Sequence, residues 1–266
     1  MSSLTVHDAL ERPVRLHEPP LRIVSLVPSQ TELLADLGLD DEVVGLTRFC
    51  VHPADWKARK TIVGGTKTVN VDRVAALKPD LVIANKEENV REQVDALAEH
   101  VPTYVTDVST VADASAMIRT VGALVGRAET ALELAETIDG GFAELSPSPR
   151  QRAAYLIWRD PWMTVGGDTF ISDVMGYAGF DNVYADTTRY PTVTLPNLRS
   201  RQPDVILLSS EPFPFREPHI EEVQAAVPEA EITLVDGEVF SWYGSRMRNA
   251  PPSLRTLKAS LAPHLP

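Results

Sequence analysis

Five short segments hold most of the residues able to recognise a ligand: positions 28–31, 48–52, 64–67, 158–168 and 240–246. They bring Arg48, Lys67, Arg159 and Arg246 together in a chain of formal charge −12, and Arg189 lies in a further loop. Trp158, Trp162, Trp242, Tyr190 and Tyr243 accompany the cations, so three of the four tryptophans belong to this set. Pro28 and Ser29 open the first segment. Flat rings supply large contact areas and guanidinium groups fork onto oxyanions, so the combination suits a large, flat or chelated ligand with negative charge. The plainer reading makes the arginines solvated surface groups and the rings lids on the fold.

Cys50 and His52 stand two residues apart, and in an extended loop both would face one way. Either could ligate a soft or borderline metal. A lone pair falls short of the four protein ligands of a structural site. His52 could instead complete the coordination of a metal already held by a chelator, or simply form a hydrogen bond. The other histidines (His7, His17, His100, His219, His264) show no metal-ligand spacing. No resident cofactor is therefore expected, and the metal, cobalt or iron, is expected inside the ligand. In the segment 240–246, Gly244 permits a sharp turn and Ser241, Ser245 and Arg246 can donate to oxygens, which reads as the second lobe's wall of a pocket.

The elements that position these residues repeat one device. Apolar runs at 23–27 and 81–84 alternate with helical patterns, and so do those at 154–158 and 205–208, as parallel sheets covered on both faces require. Gly64 and Gly65 read as a turn. The division is an arm or edge strand at 1–20, an α/β lobe at 21–109, a helical stretch at 110–146 and a second α/β lobe at 147–266. A continuous helix from Thr110 to Leu145 would span roughly 54 Å at about 1.5 Å per residue, enough to cross both lobes; Gly122, Gly126, Gly140 and Gly141 are its weak points, and a helical hairpin is the alternative. The fold class is thus α/β, with two Rossmann-like lobes, mainly parallel sheets, a long spanning helix and a cleft between the lobes where a small ligand sits.

Composition narrows the function. With 266 residues and 44% hydrophobic content, each lobe can bury its own core. The acidic balance argues against nucleic acid, whose phosphates need a basic face. No run of 18 apolar residues is present, so no membrane-spanning helix is expected. The polar first twenty residues lack the apolar stretch of a signal peptide, so the chain as it stands reads as cytoplasmic, or periplasmic if it is a trimmed mature form. One cysteine excludes an internal disulfide. No dinucleotide, Walker or nucleophile-elbow motif occurs, and Asp160, Asp168 and Asp173 have no partner set, so binding is expected rather than catalysis.

Residues 22–32, Val43-Val44-Gly45, the run from Asn70 through Leu77-Lys78-Pro79-Asp80 to Ala84, and Val165-Gly166-Gly167-Asp168-Thr169-Phe170-Ile171 resemble the helical-backbone substrate-binding proteins, the periplasmic receptors for cobalamin and ferric siderophores that serve ABC importers. The similarity covers roughly residues 21–262 and lies nearest the cobalamin-binding branch. It implies two lobes, a rigid spanning helix, a shallow cleft and no hydrolytic or redox chemistry. It implies a corrinoid-like metal chelate as ligand, with a ferric siderophore second, and delivery to an ABC permease. An intracellular protein that binds or senses a metal chelate is a third reading. One glutamate on each lobe of that family pairs with permease arginines, and Glu88 and Glu211 stand at the matching places. Thr66 and Lys67 occupy the region where a cobalamin binder is expected to carry tryptophan.

Overall fold

The strands at the centre of this protein are short and apolar on both faces, and each is followed by a chain segment that returns over the sheet. The computed structural model describes residues 4–145 and 150–261. The 146–147 boundary and the residues from Ala262 onward, His264 among them, lie outside the described residues. Two compact units emerge. The first comprises the residues up to Val108, Ala112–Ile138 and Tyr243–Arg246; the second comprises Ser109–Val111, Asp139–Trp242 and the residues from Met247.

The first unit opens with β1 (Leu4–His7) and β2 (Pro13–Leu16), an antiparallel hairpin in place of the expected arm. Asp8 builds its turn: one carboxylate oxygen accepts from the N–H groups of Leu10 and Arg12, both at 2.9 Å. The Ala9 N–H donates to the Val105 carbonyl at 2.8 Å and ties the hairpin to the sheet. Then follow β3 (Ile23–Ser25), α1 (Pro28–Asp36), β4 (Val43–Leu46), α2 (Trp56–Arg59), β5 (Thr61–Ile62), β6 (Gly64–Gly65), β7 (Thr68–Val69), α3 (Val71–Ala76), β8 (Leu81–Asn85), α4 (Arg91–Ala98) and β9 (Thr103–Thr106). The main sheet runs β5-β4-β3-β8-β9, all parallel. Every residue of β3, β8 and β9 is buried, as a doubly covered sheet demands. Val24, Leu26, Val63, Val82, Val94 and Val105 form one core layer. Gly64 and Gly65, expected as a plain turn, form β6, which pairs antiparallel with β7.

The stretch after β9 is helical, but in two pieces: α5 (Val111–Leu124) and α6 (Ala128–Ala143). This corrects the expectation of one continuous helix. Gly126 takes φ +71°. The Arg127 N–H reaches back to the Gly122 carbonyl at 2.7 Å and the Gly126 N–H to the Ala123 carbonyl at 3.3 Å. That is a Schellman stop, which a glycine with positive φ favours and a side chain opposes.

The second unit continues with β10 (Gln151–Trp158), β11 (Met163–Thr164), α7 (Phe170–Tyr177), β12 (Phe180–Asn182), α8 (Leu195–Ser200), β13 (Val205–Ser209), α9 (Glu217–Ala226), β14 (Glu231–Val235), α10 (Gly237–Ser241) and α11 (Ala250–Ser260). The sheet runs β11-β10-β13-β14, with β12 also on β10; only β11 is antiparallel. Ala154, Leu156, Ile206, Leu208 and Val223 lie in its core.

Candidate functional site

In open parallel sheets, ligands bind beyond the carboxyl ends of the strands where the strand order reverses. In the first unit the main sheet starts at β3, builds outward through β4 and β5, then returns to the other side with β8 and β9. The reversal therefore lies between β3 and β8, at the segments leading into α1 and α4. Pro28 occupies the first turn of α1, whose N-cap Val27 offers no side-chain cap. Ser29 lies in the same turn. Its Oγ and that of Ser245 are buried with no protein hydrogen-bond partner.

Two asparagines that sequence reasoning passed over organise this end. The Asn85 side-chain oxygen accepts from the N–H groups of Glu87 and Glu88 at 2.8 and 3.0 Å. Asn89 accepts from the Asn85 N–H at 2.8 Å and donates its amide hydrogens to the carbonyls of Leu26 at 3.3 Å and Thr66 at 3.0 Å. One 5% exposed amide thus joins the β3–α1 turn, the Gly64–Thr68 hairpin and the end of β8. The signal was present: two asparagines four apart at the end of a buried strand, where an unpaired polar group would be costly.

The segment Tyr243–Arg246 belongs with this unit rather than with the second, which corrects its reading as the second lobe's wall. The Tyr243 hydroxyl donates to the Glu88 carboxylate. Arg246 forks onto Glu32 through Nε at 2.8 Å and Nη2 at 2.7 Å. Gly244 has φ +151°, and a Cβ there would sit 2.9 Å from the Ser29 carbonyl oxygen. Arg246 and Glu88, expected to meet a ligand and a permease, are thus engaged within the unit.

In the segment 48–52 the side chains part ways. Arg48 is exposed, and its N–H anchors the loop to the Gly64 carbonyl at 2.8 Å. Phe49 and Val51 are 54% and 40% exposed. Cys50 is fully buried, and its sulfur lies 3.0 Å from the Thr31 hydroxyl and 3.2 Å from that of Thr47. Burial pushes its thiol pKa up, so the metal-binding thiolate is disfavoured. The extended-loop premise fails because the Cys50 N–H turns back to the Thr47 carbonyl at 3.1 Å. This corrects Cys50 as a metal ligand; His52 is half-buried. Among the described residues no group of three or more His, Cys, Asp or Glu could hold a metal ion. Lys67 is exposed and donates to the Glu87 carbonyl.

In the second unit the order reverses between β10 and β13. Trp158 ends β10 and is 39% exposed. Its ring meets Phe213 edge-on at 5.8 Å, Phe213 meets Phe215 at 4.8 Å, and Trp162 stacks on Phe215 at 5.9 Å and 9°. The Phe213 N–H donates to the Ile157 carbonyl at 3.3 Å, fixing this ledge to the strand end. Phe213 and Phe215 were missed in the sequence, although Pro212-Phe213-Pro214-Phe215 directly follows a buried strand. Arg159 forks onto Glu222 at 2.8 and 3.0 Å and also reaches Asp160 at 2.7 Å. Its charge is matched inside the unit, which corrects its reading as an anion receptor.

Trp242 donates its indole N–H to Glu211 at 2.9 Å, and the Ser241 hydroxyl donates to the same oxygen. Burial pushes the Glu211 carboxyl pKa up, against the pull of those two donors. Glu211 therefore organises its own unit, where display to a permease was expected. Tyr190 is half-buried in the loop before α8. Its neighbour Arg189 lies with Asp168, Ser172 and Asp173 along a shallow cavity of about 390 Å³ that shares no lining residue with the aromatic ledge.

The profile of the periplasmic binding protein family matches residues 23–231. An uncharacterized ABC transporter substrate-binding lipoprotein of Bacillus subtilis, YvrC, is 29% identical over 218 residues, 77% of this chain and 68% of its own length. A vitamin B12-binding protein of Vibrio parahaemolyticus is 27% identical over 199 residues, 73% of this chain and 72% of its own length. In fold, the chain is similar to the periplasmic vitamin B12 binding protein BtuF of Vibrio cholerae, with TM-score 0.80 and 21% identity over 92% of this chain and 99% of that one. It is also similar to the periplasmic heme-binding protein RhuT from Roseiflexus sp. RS-1, with TM-score 0.76 and 20% identity over 90% of this chain and 97% of that one.

Proposed function

We propose, on the premise that this chain belongs to the periplasmic binding protein family, that it captures a corrinoid-like metal chelate and delivers it to an ABC importer. The observation that carries this reading is the aromatic ledge at the second unit's strand-order reversal, which ends in the exposed ring of Trp158. A large organic chelate with a hydrophobic face suits such a ledge. The first unit's own reversal carries a hydrogen-bonded polar rim with Arg48 and Phe49 exposed. The relatives that bind vitamin B12 support corrinoid over siderophore. The metal is cargo in this reading, held by its own chelator, and the role is binding, as in the family at large.

Of the two compartments expected, the periplasmic one is supported by the family and by a relative named as a lipoprotein, and the cytoplasmic one is not. No described helix is long and apolar enough to cross a membrane. Glu87 and Glu217, exposed near Glu88 and Glu211, are further docking candidates for a permease.

The test is calorimetric titration with cyanocobalamin, hemin and a ferric hydroxamate. Tightest binding to cyanocobalamin supports the corrinoid reading. Preference for either other chelate moves the ligand within the class, and no binding to any of them overturns it.

A further inference from the structure

His219 was set aside in the sequence for want of metal-ligand spacing, yet it stands in the third position of α9, which leaves the second unit's strand-order reversal. Its Nδ1 accepts a hydrogen bond from the Arg216 backbone N–H at 2.9 Å. Its ring lies edge-on to Phe213 at 5.3 Å and 75°, and to Phe215 at 5.4 Å and 89°. Those two rings continue directly to Trp158 and Trp162.

The cap bond dictates the tautomer. A backbone N–H can only donate, so Nδ1 must carry the lone pair, and in the neutral ring the proton sits on Nε2. Coordination of a metal through Nε2 would move that proton to Nδ1. It would then face the Arg216 N–H, donor against donor, and the cap would be lost. The same bond and the two flanking rings fix the plane of the imidazole.

We propose that His219 is a ligand-binding residue of the aromatic ledge that presents Nε2–H as a donor to an acceptor oxygen, an amide carbonyl or carboxylate, on the periphery of the chelate. It does not act as a ligand to the metal. The ledge of Trp158 and Phe213 takes an apolar part of the ligand, and His219 selects for a rim oxygen beside it. This assignment rests on the metal-chelate reading above.

Two measurements test it on the full chain. Long-range ¹H–¹⁵N correlation of the imidazoles, at a pH where His219 is neutral, is expected to show the Nε2–H tautomer; the Nδ1–H tautomer overturns the assignment. Titration with cyanocobalamin, aquocobalamin and hemin then compares wild type with His219→Phe and His219→Gln. The Phe variant keeps a ring but has neither cap nor donor, and should bind about tenfold more weakly. The Gln variant can accept from the Arg216 N–H and donate from its amide, and should recover most of that loss. Absorption bands of the bound cobalt or iron should be the same in all three proteins. A band shift in either variant makes His219 a metal ligand and overturns the proposal. So does unchanged affinity in His219→Phe while wild type binds, which leaves the metal-chelate reading intact. No binding by wild type to these probes or to a ferric hydroxamate overturns both.

Discussion

The two strand-order reversals are built from opposite materials. In the first unit the rim is held by amide hydrogen bonds: Asn85 and Asn89 fasten three segments, and Glu88 and Glu32 receive Tyr243 and Arg246. In the second unit it is held by ring contacts among Trp158, Trp162, Phe213, Phe215 and His219, with Arg159 forked onto Glu222 at its side. Hydrogen bonds are directional and costly to leave half-made, so the first rim should be stiff and intolerant of substitution. Ring packing is less directional, so the second should lose affinity before it loses stability. A similar topology can thus make, in one unit, a rim that holds shape and, in the other, a ledge that supplies contact area.

That contrast breaks most visibly at Asn89. Asn89→Leu strands the Asn85 N–H and the carbonyls of Leu26 and Thr66, and should cost about 3 kcal/mol in urea unfolding. A loss under about 1 kcal/mol would mean that the first rim is not built on its amides. Trp158→Ala probes the aromatic ledge. It should weaken binding of the preferred chelate by roughly 30-fold, while unfolding shifts by less than about 1 kcal/mol, since the ring is 39% exposed. Equal losses in affinity and stability would erase the distinction between the two ends.

Arg246→Ala sharpens the reading of the segment Tyr243–Arg246. The Arg246 and Glu32 side chains are 25% and 17% exposed, so solvent screens the pair in part and its loss should cost about 1 kcal/mol of stability. Affinity should change little, because the guanidinium is committed to Glu32. A large affinity loss at unchanged stability would return Arg246 to the ligand.

The smallest effect is expected at Glu211. Burial raises its folded carboxyl pKa above the ordinary value, so its protonated form favours the fold. That contribution is complete below the unfolded pKa and is lost as pH rises through the folded one. Glu211→Gln can still accept from Trp242 and Ser241 through its amide oxygen, and it does not titrate. Melting from pH 4 to 8 should therefore show the wild type losing ground to the variant as pH rises, by less than about 1 kcal/mol. Wild type gaining on the variant with rising pH would reverse the sign and show that the two donors outweigh burial.

Much of this was legible beforehand, for local reasons. Apolar runs such as Leu81–Asn85 and Val205–Ser209 can only be strands buried on both faces, and their alternation with helical patterns implies parallel sheets. The break between α5 and α6 was half-legible: Gly126 was visible as a weak point, but only its left-handed backbone makes it a stop. The fates of the cations were not legible. Arg246 meets Glu32 across 214 positions and Arg159 meets Glu222 across 63, and no spacing rule reaches that far. Cys50 and His52 were read as facing one way because an extended loop was assumed; the turn at Thr47 buries one and leaves the other partly exposed.

The sequence by itself determined the two α/β units, the strands at their centres and the family to which the chain belongs, because hydrophobic periodicity and short motifs are written within a few tens of residues. Only the tertiary structure decided which charges were already paired and which asparagines held the rim together. Each of those depends on a partner brought near by the fold, and a polar group's chemistry is set by the partner it meets.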